Sequence, residues 1–187
     1  MDLPWGDERT IQFITNVGII TSRGITGDNI MAAEWTHQVS YSPGLIAVCI
    51  RKGNTSGELI KESKEFGVNI TATDQAQLAS VAGNSHGREV DKVAVLKELG
   101  HEFYDAKTIN TVMVKGAVLN IECKVIDMLE PGSHTIFIGE VQDVQYNKEK
   151  QPLAYHHKQY GTVHFDIPKP SDEVREKIKA LIEKHKR

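Results

Sequence analysis

Apolar residues change their spacing several times along this chain, and each spacing predicts an element. Residues 17–22 (VGIITS) and 45–50 (LIAVCI) are short, nearly continuous apolar runs bounded by turn residues. That is the pattern of buried strands. Residues 67–72 (GVNITA) predict a third, shorter strand, and residues 23–29 (RGITGDN), with two glycines, predict a turn-rich loop. Residues 55–66 predict a helix. Thr55 and Glu58 have capping-box spacing there, and Leu59, Ile60 and Phe66 make one apolar side. A second helix is expected over residues 74–82, with Leu78, Val81 and Ala82 inward, before a polar loop at 83–88.

From Val112 the pattern turns to β and stays there. Residues 112–129 alternate well enough for one long strand, and residues 135–146 (TIFIGEVQDVQY) for its partner. Pro131-Gly132 between them fits the centre of a type II turn. Beyond Pro168 and Pro170, Ser171 is a natural N-cap, and Val174, Ile178, Leu181 and Ile182 form one helical stripe. That stripe needs a surface to cover, either its own barrel or a neighbouring subunit. The fold class expected is mainly β with helices, a closed or half-closed barrel without βαβ rhythm. A single domain, 1–187, is expected, with the barrel at about 10–166 and a C-terminal helix at about 171–185.

Composition narrows the function. The chain has 187 residues, a net charge of −3 and a pI near 6.2, which lacks the basic footprint of a nucleic-acid binder. Cys49 and Cys123 both lie in apolar runs and read as buried thiols. The first residues, MDLPWGDERT, lack the cationic and apolar regions of a signal peptide, and no apolar run is long enough to span a bilayer. The expectation is a cytoplasmic protein with no membrane partner.

Three segments carry candidate chemistry. Residues 51–57 (RKGNTSG) join a strand to a helix start and combine two cations, two hydroxyls and two glycines. A helix N-terminus with added cations suits a phosphate. The same residues also fit a capped surface helix behind a solvated basic turn. Residues 29–40 (NIMAAEWTHQVS) fit a planar ring held by backbone amides at Ala33 and Glu34 with Trp35 as a wall, or an ordinary strand with a core Trp. His134, after the Pro131-Gly132 turn, is either a displayed proton donor and acceptor or a solvated turn residue. His156-His157 has no Cys or carboxylate at zinc spacing and reads as a polar loop, so no metal site is expected. Common hydrolase, redox-thiol, zincin and Rossmann motifs are absent from the sequence.

Four patches in order resemble the flavin reductase-like family, FMN-binding proteins of split-barrel fold. Asn29, Trp35, Ser40 and Pro43 match its N-x5-W … S-x-x-P stretch. Thr55, Ile60, Ser63, Phe66, Val68 and Asn69 match T … I-x-x-S-x-x-F-x-V-N, and Asp91-Lys92 its D-K element. Glu122-Cys123, Gly132-Ser133-His134 and Ile138-Gly139-Glu140-Val141 resemble E-C … G-D-H … I-G-E-V. Ser133 stands where that pattern has Asp, and Val93 where Phe is frequent. The pattern is most like the ferric reductase and flavoredoxin branch.

The resemblance implies FMN in a groove shared by two subunits of a homodimer. Its phosphate would meet Arg51, Lys52, Asn54 and Thr55, with Ser85 and Lys92 closing from a second loop. Its ring would lie against Asn29, Ala33, Trp35 and Thr36, with Tyr160 or Phe165 as a cap and His134 as the catalytic residue. The implied activity is an NAD(P)H-dependent flavin or ferric reductase that passes electrons through FMN to a small-molecule or protein acceptor. The alternatives are a non-catalytic FMN electron carrier of the flavoredoxin kind and a ligand-binding module without redox activity.

Overall fold

The computed structural model describes residues 1–25 and 27–186. Thr26, inside the loop expected at 23–29, lies outside the described residues. In chain order the elements are β1 (Thr15–Asn16), β2 (Gly18–Gly24), β3 (Gly27–Ala33), β4 (Thr36–Ser40), β5 (Leu45–Arg51) and α1 (Thr55–Ser63). Then come β6 (Glu65–Ile70), α2 (Ala76–Asn84), α3 (Lys92–Glu98), β7 (Phe103–Asp105) and β8 (Val112–Val114). The chain closes with β9 (Leu119–Leu129), β10 (His134–Tyr146), β11 (Ala154–His156), β12 (Gln159–Gly161) and α4 (Asp172–Lys184).

The architecture is mainly β with helices. Seven strands form one antiparallel sheet in the order β3-β2-β6-β9-β10-β5-β4. With β3 and β4 left as edges, the sheet does not close, so of the two barrel forms expected the half-closed one is observed. A smaller sheet, β1-β11-β12, stands beside it. Strand β2 shows why its sequence reads as a solid apolar run rather than an alternation. Neighbouring residues point to opposite faces, and both faces are covered. Ile19 packs with Ile30, Leu78 and Leu96 under α2 and α3, whereas Ile20 packs with Val48, Ile60, Phe66 and Phe137 inside the curved sheet.

Several elements differ from the sequence expectation. The loop at 23–29 is mostly strand, because β2 runs to Gly24 and pairs in register with β3 from Gly27. Helix α1 ends at Lys64, which adopts φ 60°, so Phe66 sits in β6 as a fully buried strand residue, not on the helix. The long strand at 112–129 is broken: Gly116 turns the chain with φ 79°, separating β8 from β9. Gly132 is not in the left-handed region, so the type II turn is not formed. Tertiary bonds shape that connection instead, with Lys52 N donating to Ser133 O and Thr135 Oγ1 donating to the Glu130 carboxylate. Helix α3, capped by Asp91, is additional to the expected helices.

Several motif residues turn out to hold the frame. Asn69 Oδ1 accepts from Val114 N (2.8 Å) and Asn120 Nδ2 (2.7 Å), while its amide donates to Ile19 O (2.9 Å). One side chain thereby ties β2, β6, β8 and β9. Glu122, 2% exposed, accepts from Lys107 N, Thr108 N and the Thr108 hydroxyl, pinning the β7–β8 loop. Such a buried carboxylate is tolerable because its acceptors are filled. A Cβ on Gly139 would approach the Phe66 ring to 2.5 Å, which explains the glycine in mid-strand.

Cys123 is buried and its thiol is pushed up to about 12, chiefly by burial and then by Glu122. Cys49 departs from expectation, being only half-buried. Helix α4 starts at Ser171, whose hydroxyl accepts from Val174 N as expected. None of its residues is buried, so the stripe does not cover this chain's own barrel. No described helix is long and apolar enough to cross a membrane.

Candidate functional site

The site grows from the end of β5. Arg51 is its last residue and lies opposite His134, the first residue of β10, in the antiparallel register. Beyond Arg51 the chain turns into α1. The capping box expected at Thr55 is not formed; the cap moves back one residue to Asn54, with extended backbone and a side chain accepting from Ser56 N at 3.0 Å. Asn is among the best caps and already sits at the turn, which leaves Thr55 as the first helical residue. Glu58, freed from the box, pairs with Arg88 of the 85–91 loop.

Trp35, between β3 and β4, lies beside this strand end. Its carbonyl accepts from Cys49 N at 3.0 Å, yet the residue is 51% exposed. The core-aromatic alternative is thereby corrected, because the indole forms a wall. The His134 ring packs on it with centroids 4.7 Å apart. His134 is therefore half-buried rather than displayed at a tip, and its Nδ1 is 2.9 Å from Ser133 Oγ. Desolvation against the indole, then the Arg51 charge, lowers its pKa from the ordinary 6.5, so the imidazole is neutral at neutral pH.

Ala33, Trp35, Cys49, Arg51, Ser133 and His134 share one cavity of about 830 Å³. That volume is within the range of small-molecule sites. The N-terminal segment forms part of its lining through Leu3, Trp5 and Phe13, with Trp5 Nε1 donating to Glu34 Oε1 at 3.1 Å. Spacing alone did not mark Cys49, Trp5 or the 156–158 turn as site residues.

The remaining sequence candidates fall into two groups. Lys52 and Thr55 flank Asn54 at the start of α1; Lys52 is exposed and 3.6 Å from Glu130. Asn29 is buried, and its amide donates to the Ser56 hydroxyl at 2.6 Å. A Cβ on Gly87 would meet Asn29 Oδ1 at 2.1 Å, so the 85–91 loop lies directly on this residue.

Ser85 and Lys92 are brought near but face inward. The Ser85 hydroxyl donates to Val81 O, and Lys92 Nζ donates to Ala82 O and Ser85 O at 3.2 Å each. Burial lowers the Lys92 pKa to about 8. Thr36 is buried, bonded to Ala33 O, and faces a neighbouring groove of about 490 Å³ that shares Trp35 and Cys49. Neither Tyr160, its ring tilted against Tyr155, nor Phe165, 95% exposed, lines the main cavity.

Residues 10–164 match the flavin reductase like domain. The chain is 31% identical over 124 residues to a ferric-chelate reductase (NAD(P)H) of Archaeoglobus fulgidus, covering 66% of this chain and 70% of that one. It is 24% identical over 148 residues to an FMN reductase (NADH) of Acinetobacter baylyi, covering 79% and 75%. Among solved structures, the flavoredoxin of Desulfovibrio vulgaris (Miyazaki F) superimposes with a TM-score of 0.75 at 25% identity. That match covers 92% of this chain and 98% of the flavoredoxin.

Proposed function

We propose that this chain, which belongs to the flavin reductase-like domain family, binds FMN and passes electrons from NAD(P)H through it to an acceptor. The acceptor classes are a free flavin, a ferric complex or a partner protein. The observation that carries the reading is the meeting, in one cavity, of Arg51, three residues before the α1 cap, with the Trp35–His134 wall; Lys52, Asn54 and Thr55 follow in the chain but are not among the cavity's lining residues. A guanidinium beside a capped helix N-terminus suits a phosphate, and a half-exposed indole beside a neutral imidazole suits a flat ring. The donors present therefore fit FMN.

Bound FMN would supply hydride acceptance and electron release. The protein's part is binding, orientation and exclusion of water. Arg51, Lys52 and the Thr55 hydroxyl would hold the phosphate, and Asn54 would keep the helix start in shape. Ala33 and Trp35 would flank the ring, with Thr36 fixing the turn behind them. We assign Asn29 to seating the 85–91 loop against α1, and Ser85 and Lys92 to holding that loop on the end of α2. His134, as a neutral imidazole, would orient the nicotinamide where the ring is open to it.

The test is spectroscopic. Purified protein loaded with FMN is expected to bleach rapidly under anaerobic conditions on addition of NADH or NADPH. Failure to retain FMN would overturn the cofactor assignment. Reduction by dithionite but by neither nicotinamide would convert the reading to an electron carrier.

We also propose that residues 1–187 form a single domain and that two copies of it pair as a homodimer. Its support is the wholly unburied α4 stripe, Val174, Ile178, Leu181 and Ile182, together with exposed Val144 and Tyr146 on β10. Apolar surface of this kind is normally covered, and a twofold pairing is the commonest closed solution. Light scattering at micromolar concentration is expected to give twice the chain mass of 20.8 kDa; a monomer mass would refute it.

A further inference from the structure

The β11–β12 hairpin turns on two residues that hairpins of this type avoid. Tyr155 faces Tyr160 and His156 faces Gln159, which leaves His157 and Lys158 as a two-residue turn. Both have left-handed backbones, φ 49° and 61°. This is the type I′ geometry, in which Asn and Gly are favoured because other side chains are strained there. Strain of this kind persists where the surroundings hold it, and it collects at ligand sites.

The turn faces the same cavity as Arg51 and His134. Arg51, His134, His156, His157 and Lys158 thus line one space, and Glu34 is the single carboxylate among the described lining residues. That carboxylate already accepts from the Trp5 indole. The His156 and His157 rings lie 4.3 Å apart. His156 Nδ1 is sealed from solvent and has no hydrogen-bond partner among the described residues. Lys158 rests its ammonium 5.2 Å from the Trp5 ring centre.

We propose that the 156–158 turn is an anion-binding rim, recognising the multiply charged group carried by the substrate that shares the cavity with flavin. Two sources carry that chemistry: the 2′-phosphate of a nicotinamide dinucleotide and the carboxylates of a ferric chelate. The inference rests on the flavin-site reading given above, but its test does not depend on flavin.

Replacing His157→Asn and Lys158→Gly together removes the ammonium and the imidazole of the turn while supplying the residues the turn favours, so the fold is kept. The probes are 2′-AMP, adenosine and citrate, titrated into the purified protein by calorimetry. Flavin loading is read separately by visible absorbance, and thermal melting checks the fold. Wild type is expected to bind 2′-AMP or citrate, and the double variant to bind it about tenfold more weakly or worse. The melting temperature should be equal or higher. Binding of 2′-AMP but not adenosine identifies the phosphate source, whereas binding of citrate identifies the chelate source. If wild type binds neither anion, or the variant binds as wild type does, the rim assignment is overturned. A protein that binds an anion here yet rejects FMN would sink the flavin reading and leave the rim standing.

Discussion

The Arg51→Ala, Thr55→Ala protein is expected to bind FMN about 10²–10⁴-fold more weakly than wild type, since each charge-assisted hydrogen bond contributes roughly 1.5–3 kcal/mol. Arg51 ends β5 at the cavity wall, and Thr55 is the first residue of α1. A phosphate between them would meet a guanidinium, a hydroxyl and the positive end of the helix dipole. Asn54 is left in place so that the helix keeps its cap through Ser56 N. Lys52 is the weaker choice for removal because it is exposed and already paired with the Glu130 carboxylate at 3.6 Å. The two substitutions touch one ligand group, so their effects need not add, and the single variants measure the coupling. A fluorescence titration with FMN gives the affinities. Wild-type affinity in the double variant would remove the phosphate assignment.

The His134→Ala protein, fully loaded with FMN, is expected to be reduced by NAD(P)H about 10²-fold more slowly, the scale on which a misplaced reactant slows a reaction. The imidazole would orient the nicotinamide in its neutral form. Desolvation first, and the Arg51 charge second, lower its pKa from 6.5. The sign of the pH dependence follows. The neutral form predominates at and above neutrality, so wild-type reduction should hold there and decline as the pH falls through the lowered value. Folding stability moves the same way: the unfolded chain takes up the proton more readily than the folded one, so this histidine disfavours folding increasingly below 6.5. Stopped-flow reduction across pH tests both points. FMN affinity should change far less than the rate, since the phosphate end lies on α1. An unchanged rate at full occupancy would leave His134 as a brace between Ser133 and Trp35.

Much of the β framework was legible because strand periodicity is local. The runs at 45–50 and 135–146 became β5 and β10 with little change. The helix at Ser171 was equally plain, since its cap and stripe need no distant partner. At the site, Arg51, Ala33, Trp35 and His134 were named from sequence and share a cavity. Ser85 and Lys92 were named too, but whether a polar side chain faces a ligand or a helix carbonyl is not written in its spacing. Lys92 turns inward because α2 ends with carbonyls that need donors, and Nζ reaches two of them.

The sequence by itself determined a mainly β chain, a helix start after two cations, and an indole and a histidine near them in kind though not in space. Those features depend on residue type within a few positions. Tertiary structure alone decided that β5 and β10 pair with Arg51 opposite His134, and that β2 is buried on both faces. It also carried the N-terminal Trp5 and the strained 157–158 turn onto the same cavity, although more than 150 residues separate them. Contacts of that separation are fixed by the packing of the whole sheet, whose free energy no local window contains.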